Sequence, residues 1–130
     1  MSFNGQIVFQ SKYMPHRIVH AKSYPFPIPG ASFVYDNGTT RTLNPATMDL
    51  TGRTPVLAAG SNQSPEQIRR KFGKLPGDVV VPSQRGRLHD FDVVYAAHLA
   101  GYGSIPATFQ ASPGTAVTVF VQWLDGTQLA

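Results

Sequence analysis

The residues best suited to chemistry form a short Gly-Ser-Asn segment at positions 60–62. Before it, residues 54–59 are mostly apolar and predict a buried strand, and after it Ser64 and Pro65 are typical of a capped helix start. Such a loop points backbone N–H groups at one place, and the positive end of the helix dipole adds to them. The pattern predicts an anion site for a carboxylate or phosphate. An ordinary strand-to-helix turn is the alternative.

Ser61 is also a candidate nucleophile, because the serine of many hydrolases lies on a sharp strand-to-helix turn of this kind. His89 or His98, with Asp90 or Asp92, would complete a triad. The Gly-x-Ser-x-Gly elbow is absent, however, and the usual order Ser…Asp…His leaves His98 as the only histidine candidate. We therefore favour the anion-site interpretation.

Metal and acid–base sites are weakly indicated. His16 and His20 are four residues apart, but a β-like context does not place them on one helix face, so a surface or structural role is favoured. Asp90 and Asp92 flank Phe91 and are expected on one side of a strand. In a cavity, one of them would serve as a base with a raised pKa, whereas on the surface both would face solvent. We expect no metal and no cofactor.

Composition limits the classes of protein. The 130 residues suffice for one domain core, 42% are hydrophobic and only 14% charged, so further chain or a partner is expected to cover some surface. The net charge is +4, but the basic run at residues 69–71 carries no interleaved aromatic residues and fits a solvated helix face better than a nucleic-acid site. Without cysteine, thiolate sites are excluded. With no leader-like or membrane-length apolar run, a cytoplasmic, non-membrane protein is expected.

The first half of the chain predicts short strands and turns. Strands are expected at residues 3–9 and 17–22, and the alternating prolines of residues 24–30 favour an extended connector. The Asn-Gly pair inside residues 33–40 predicts a type I′ hairpin. A loop over residues 44–52 marks the main boundary along the chain.

The second half of the chain begins with a predicted helix whose first and last residues are indicated by capping residues. Ser64 is a good N-cap, Pro65 suits the first position, Ile68 and Phe72 share one face, and Gly73 is a natural C-cap.

The remaining chain predicts strands near residues 88–98, 105–110 and 117–124, the last two joined by a turn at 111–114. The final strand is apolar on both faces, so it should lie inside a sheet. Residues 125–130 look like a turn and a helix start. An edge would then stay open unless a second segment or another subunit completes the sheet.

Several of these segments together resemble a known family. The sequence Ala-Gly-Ser-Asn-Gln at residues 59–63 is similar to the Tyr-Gly-Ser-Asn-Leu signature of the γ-glutamylcyclotransferase-like superfamily, which includes AIG2-like and BtrG-like proteins. Residues 86–91 resemble its strand after the first helix. Residues 106–109, with 112–114 and Val117, resemble its Ala-Thr…Pro-Gly…Val hairpin. The resemblance covers about residues 54–130.

The resemblance implies a small mixed α/β barrel whose loop backbone grips a γ-glutamyl substrate. The residues to which it assigns binding are Ala59, Gly60, Ser61, Asn62 and Gln63. In active members a glutamate acts as acid and base while the substrate's α-amine attacks its own side-chain carbonyl, which releases 5-oxoproline and an amine.

The chain departs from the family at two signature positions, with Ala59 for Tyr and Gln63 for Leu. The family's glutamate follows the final strand and would fall beyond Ala130, so no catalytic residue is assigned here. Cyclotransferase activity is then expected only if the full-length protein supplies that glutamate.

We therefore predict an α+β, cyclotransferase-like small mixed β-barrel with few short helices. Residues 1–50 would form an N-terminal β-rich extension, and residues 51–130 the cyclotransferase-like domain. The expected ligand is a γ-glutamyl or related small carboxylate compound. A non-catalytic binding or assembly module of the same fold is the alternative, and a homo-oligomer is an expected form of partner.

Overall fold

The structure is a computed structural model that describes residues 26–99 and 105–130. Its strands are β1 (Phe33–Asp36), β2 (Thr39–Thr42), β3 (Thr54–Ala58), β4 (Val80–Tyr95) and β5 (Ala107–Leu124). Its helices are a 3₁₀ helix (Gly60–Gln63), α1 (Pro65–Phe72) and α2 (Gly126–Leu129). The strands predicted at residues 3–9 and 17–22, together with His16 and His20, lie outside the described residues.

The five strands form one antiparallel sheet in the order β2-β1-β4-β5-β3. The α+β class with few short helices is thus confirmed, and β5 lies inside the sheet as its two apolar faces predict. The mixed, closed barrel is not what the described residues form. The edge strands β2 and β3 are short and lie at opposite ends of the order, so nothing joins them into a ring.

The β1–β2 hairpin forms at the predicted Asn-Gly turn. Asn37 has a φ of 46° and Gly38 a φ of 98°, the positive values that a type I′ turn requires. The Asn37 side-chain oxygen accepts the N–H of Val79, and the Asn37 N–H donates to the Val79 carbonyl, each at 2.9 Å. The turn is therefore tied to the segment that enters β4. Since β1 pairs with β4, one sheet includes strands from both sides of residue 50, although the division into two segments stays a prediction.

Strands β4 and β5 form a long ribbon with an irregularity in the middle. The pairing runs to His89 opposite Ala116 and resumes at Phe91 opposite Ala111, so the predicted turn at residues 111–114 is instead a bulge within one strand. Asp90 has a φ of 64°, and its carboxylate accepts the N–H of Gly114 at 3.0 Å. This conformation interrupts the simple alternation that would place Asp90 and Asp92 on one side of the strand.

The core lies between one face of the sheet and α1. Its buried members come from four strands, the helix and the segment before β4: Phe33, Tyr35, Ala58, Ile68, Val79, Val81, Phe120 and Leu124. Half-buried Phe72 packs against this cluster, as the predicted helix face requires. The Ser64 side chain accepts the Glu66 N–H at the helix start, and Gly73 ends the helix with a right-handed φ of −62°.

Arg53 joins the ends of three segments just before β3. One of its guanidinium nitrogens donates to the Val80 carbonyl at 2.9 Å and to the Trp123 carbonyl at 3.0 Å. We expect Arg53→Met to lower the free energy of unfolding by about 1–3 kcal/mol, because charged hydrogen bonds to partly buried carbonyls are lost. Urea denaturation measures this loss. The control Arg70→Met removes an exposed arginine of α1 and should change stability by less than about 0.5 kcal/mol, so equal effects would contradict the role of Arg53.

Candidate functional site

The Gly-Ser-Asn segment forms the 3₁₀ helix between β3 and α1. Gly60 begins it with a φ of 57°, a left-handed conformation that glycine adopts without steric cost. The Asn62 N–H donates to the Ala59 carbonyl at 3.3 Å, and the Ser64 N–H donates to the Ser61 carbonyl at 2.9 Å. The turn therefore consumes two of the N–H groups that a converging anion loop would aim at a ligand.

Contacts from three side chains, one within the helix and two from outside it, hold the helix in place. The Gln63 side-chain amide donates to the Gly60 carbonyl at 3.2 Å, and the Lys71 ammonium donates to the Asn62 side-chain oxygen at 2.7 Å. From β5, the Gln122 side-chain amide donates to the Asn62 carbonyl. Sequence reasoning missed Lys71 and Gln122. The only signal for Gln122 was a polar residue at an inward-facing position of an otherwise apolar strand.

Polar residues also interrupt the core face beneath the 3₁₀ helix. Gln122 of β5 is 6% exposed, and the residue that pairs with it on β4 is Ser83, which is completely buried. Directly paired residues project to the same face, so Ser83 lies beside the side chain that contacts Asn62. In the described part of the chain, the Ser83 hydroxyl has no hydrogen-bond partner.

The charges around the site come chiefly from α1. Arg69 donates to Glu66 at 2.9 Å, and this hydrogen bond, with the attraction between the opposite charges, raises the pKa of Arg69 above its usual value. Glu66 is the chain's only glutamate and is held by this pair. The site therefore contains a lysine beside Asn62, and the adjacent carboxylate is already engaged by an arginine.

The β4 candidates for the Ser61 triad, His89, Asp90 and Asp92, lie away from the 3₁₀ helix. His89 lies six positions beyond Ser83 along β4, which is about 20 Å at the rise of an extended strand. Asp90 is occupied with the Gly114 N–H, and the Asp92 carboxylate accepts the N–H of Val93 at 2.8 Å. These groups therefore lie on the far part of the β4–β5 ribbon rather than beside the 3₁₀ helix.

The structure also bears on the other sites considered above. No group of three or more metal-ligating side chains occurs within residues 26–99 and 105–130. No helix in those ranges is long and apolar enough to cross a membrane. In the basic run at residues 69–71, Arg69 binds Glu66 and Lys71 binds Asn62, so two of the three cations have partners within the protein.

Comparison of the chain with protein-family models, with curated proteins and with solved structures found no match. The likeness to the γ-glutamylcyclotransferase-like superfamily therefore rests on the short segments described above. Of these segments, residues 60–63 form the 3₁₀ helix and residues 112–117 lie within β5.

Proposed function

We propose that this protein binds a γ-glutamyl or related small carboxylate compound at residues 59–63, and that it is cyclotransferase-like in fold. The observation that carries the proposal is the 3₁₀ helix anchored by Gln122 and Lys71. Binding needs positioned donors, and these contacts fix the loop before a ligand arrives.

The charges suit an anionic ligand. Lys71 places an ammonium group 2.7 Å from the Asn62 side-chain oxygen, which brings a positive charge to the loop. The start of α1 adds a partial positive charge next to the loop. A ligand carboxylate at the loop would meet both charges.

Cyclisation would demand more than binding. The ligand's α-amine would form a new C–N bond with its side-chain carbonyl carbon, and the bond to the leaving amine would break as that amine takes up a proton. A carboxylate within reach would transfer this proton. Glu66, the acidic residue closest to the loop in sequence, is paired with Arg69. The residues of this chain thus favour binding, and turnover would need a glutamate from elsewhere in the full-length protein.

A titration followed by backbone amide NMR tests the proposal. We expect a γ-glutamyl dipeptide to shift the resonances of residues 59–64 in a saturable way. Release of 5-oxoproline by the full-length protein would establish cyclotransferase activity, whereas binding without release would select the non-catalytic module. If no γ-glutamyl or simple carboxylate compound shifts these resonances, the proposal is wrong.

Gly60→Ala is expected to weaken this binding at least about tenfold. An L-residue in the left-handed region costs about 1–2 kcal/mol, so the loop backbone will leave its present conformation. Gly52→Ala is the matched control, because Gly52 also has a positive φ, 71°, but lies in an exposed turn before β3. Both variants should lose similar stability in thermal denaturation. Equal ligand affinities in the two variants would contradict a binding role for residue 60.

A further inference from the structure

A separate cleft opens on the same face of the sheet, further along β4. Its volume is about 500 Å³, within the range of small-molecule sites. The described lining residues come from the chain before β1, from β4 and from β5: Gly30, Ala31, Ser32, Arg85, Gly86, Arg87 and Thr118. None of them belongs to the site at residues 59–63.

Two arginines form one wall of this cleft. Arg85 and Arg87 are alternate residues of β4 and pair with Phe120 and Thr118 of β5, so they project to the same face as the core residue Phe120. Their Cα atoms are about 6.6 Å apart at the rise of an extended strand. Two like charges on neighbouring positions of one face make the cleft favourable for an anion.

The opposite wall is fixed by a hydrogen bond. The backbone N–H of Arg85 donates to the Ser32 hydroxyl oxygen at 2.8 Å, which pins the chain before β1 against β4. Because that oxygen acts as acceptor, the hydroxyl hydrogen of Ser32 is available to donate to a ligand. Thr118 contributes a second hydroxyl on the β5 side.

In the part of the chain that the structure describes, neither of the ion pairs Asp36–Arg41 and Glu66–Arg69 involves the cleft. None of the described lining residues is acidic. One Arg87 nitrogen donates to the Ala116 carbonyl at 3.3 Å, which orients the group and leaves its other donors unused.

We propose that this cleft binds the phosphate group of a small phosphate monoester. The donors are two guanidinium groups and two hydroxyls, more than the two oxygens of one carboxylate need, whereas the three terminal oxygens of a phosphate can engage both arginines. The volume leaves room for the organic part of the ligand. The site lies beyond the proposed carboxylate function and does not depend on it.

Glycerol 3-phosphate and inorganic phosphate are the probes, titrated at constant ionic strength and followed by backbone amide NMR. We expect saturable shifts at residues 30–32, 85–87 and 118, with sodium acetate binding at least tenfold more weakly. Absence of saturable shifts at these residues, or equal affinity for acetate, would overturn the proposal.

Variants distinguish phosphate binding at the cleft from general attraction of phosphate to the positively charged protein. Arg85→Gln should weaken phosphate binding about tenfold or more, while Arg70→Gln, which removes the same charge from the exposed surface of α1, should leave it within twofold. Thr118→Val keeps the side-chain shape but removes the hydroxyl, so it should weaken phosphate binding severalfold. Equal losses in Arg85→Gln and Arg70→Gln would show attraction to net charge only and contradict the site.

The two ligand sites are distinguishable in one experiment. The γ-glutamyl dipeptide is expected to shift residues 59–64, and the phosphate probes residues 85–87, so failure of one leaves the other measurable. Gly60→Ala should leave phosphate affinity within twofold. A loss of phosphate binding in Gly60→Ala, with Arg85 intact and the protein folded, would contradict a separate site.

Discussion

Phe120→Ala is expected to lower the free energy of unfolding by about 3–5 kcal/mol. Phe120 is 1% exposed and belongs to the core cluster of the sheet and α1. Its ring lies 5.5 Å from that of Phe33 in a tilted arrangement, a geometry that adds to the burial of apolar area. Removing the ring opens a cavity between β5 and the helix that rigid strands cannot fill. Equilibrium denaturation in urea, with an unchanged m-value, measures the effect.

Phe91→Ala is the matched control for this prediction. Phe91 is also a strand phenylalanine, but it lies on the far part of the ribbon and is 38% exposed. Its truncation should cost less than half as much as that of Phe120. If the two variants lose the same stability, the core does not lie between the sheet and α1.

Gln122→Leu is expected to disturb both stability and the ligand site. The leucine keeps the size of the side chain but leaves the Asn62 carbonyl without the amide donor, at a cost of about 1–3 kcal/mol. The 3₁₀ helix would then be held by Lys71 and its own turn, so affinity for a γ-glutamyl dipeptide should fall at least about tenfold. Denaturation and the NMR titration measure the two effects.

Gln110→Leu provides the same change at an exposed position of β5, opposite Asp92. We expect stability within about 0.5 kcal/mol of the parent and unchanged affinity. Should Gln122→Leu behave like Gln110→Leu in both measurements, the contact with Asn62 does not support the loop.

Elements set by neighbouring residues could be predicted from the sequence. The Asn37-Gly38 turn and the Ser64 cap each depend on the conformational preferences of a few adjacent residues, and both form as expected. The interior position of β5 was also predictable, because alternating positions were apolar on both faces.

Features that depend on distant pairing were not predictable in this way. Pro113 and Gly114 signal a chain reversal, yet the same residues serve a bulge, because Asp90 of the neighbouring strand accepts the Gly114 N–H. Local signals do not distinguish a turn from a bulge when the partner strand is unknown. The prediction of a closed barrel was wrong for a similar reason, because closure depends on whether the two edge strands pair with each other.

In the candidate site, too, local features could be predicted from the sequence and contacts between distant residues could not. Residues 59–63 stood out through glycine and polar residues in a row, whereas Lys71 and Gln122 reach them from nine and sixty positions away. Such contacts depend on the helix returning over the sheet. The arginine cleft was missed because the sequence does not show that the chain before β1 lies beside Arg85 and Arg87 of β4.

The strand order constrains how the chain assembles during synthesis. Edge strand β3 finds its partner only in β5, and the contact from Arg53 to Trp123 spans 70 positions. A nascent chain that ends before β5 can pair β2, β1 and β4, but it carries β3 without its partner strand. Non-local pairing of this kind slows folding and lengthens the time in which other chains compete for the exposed strand.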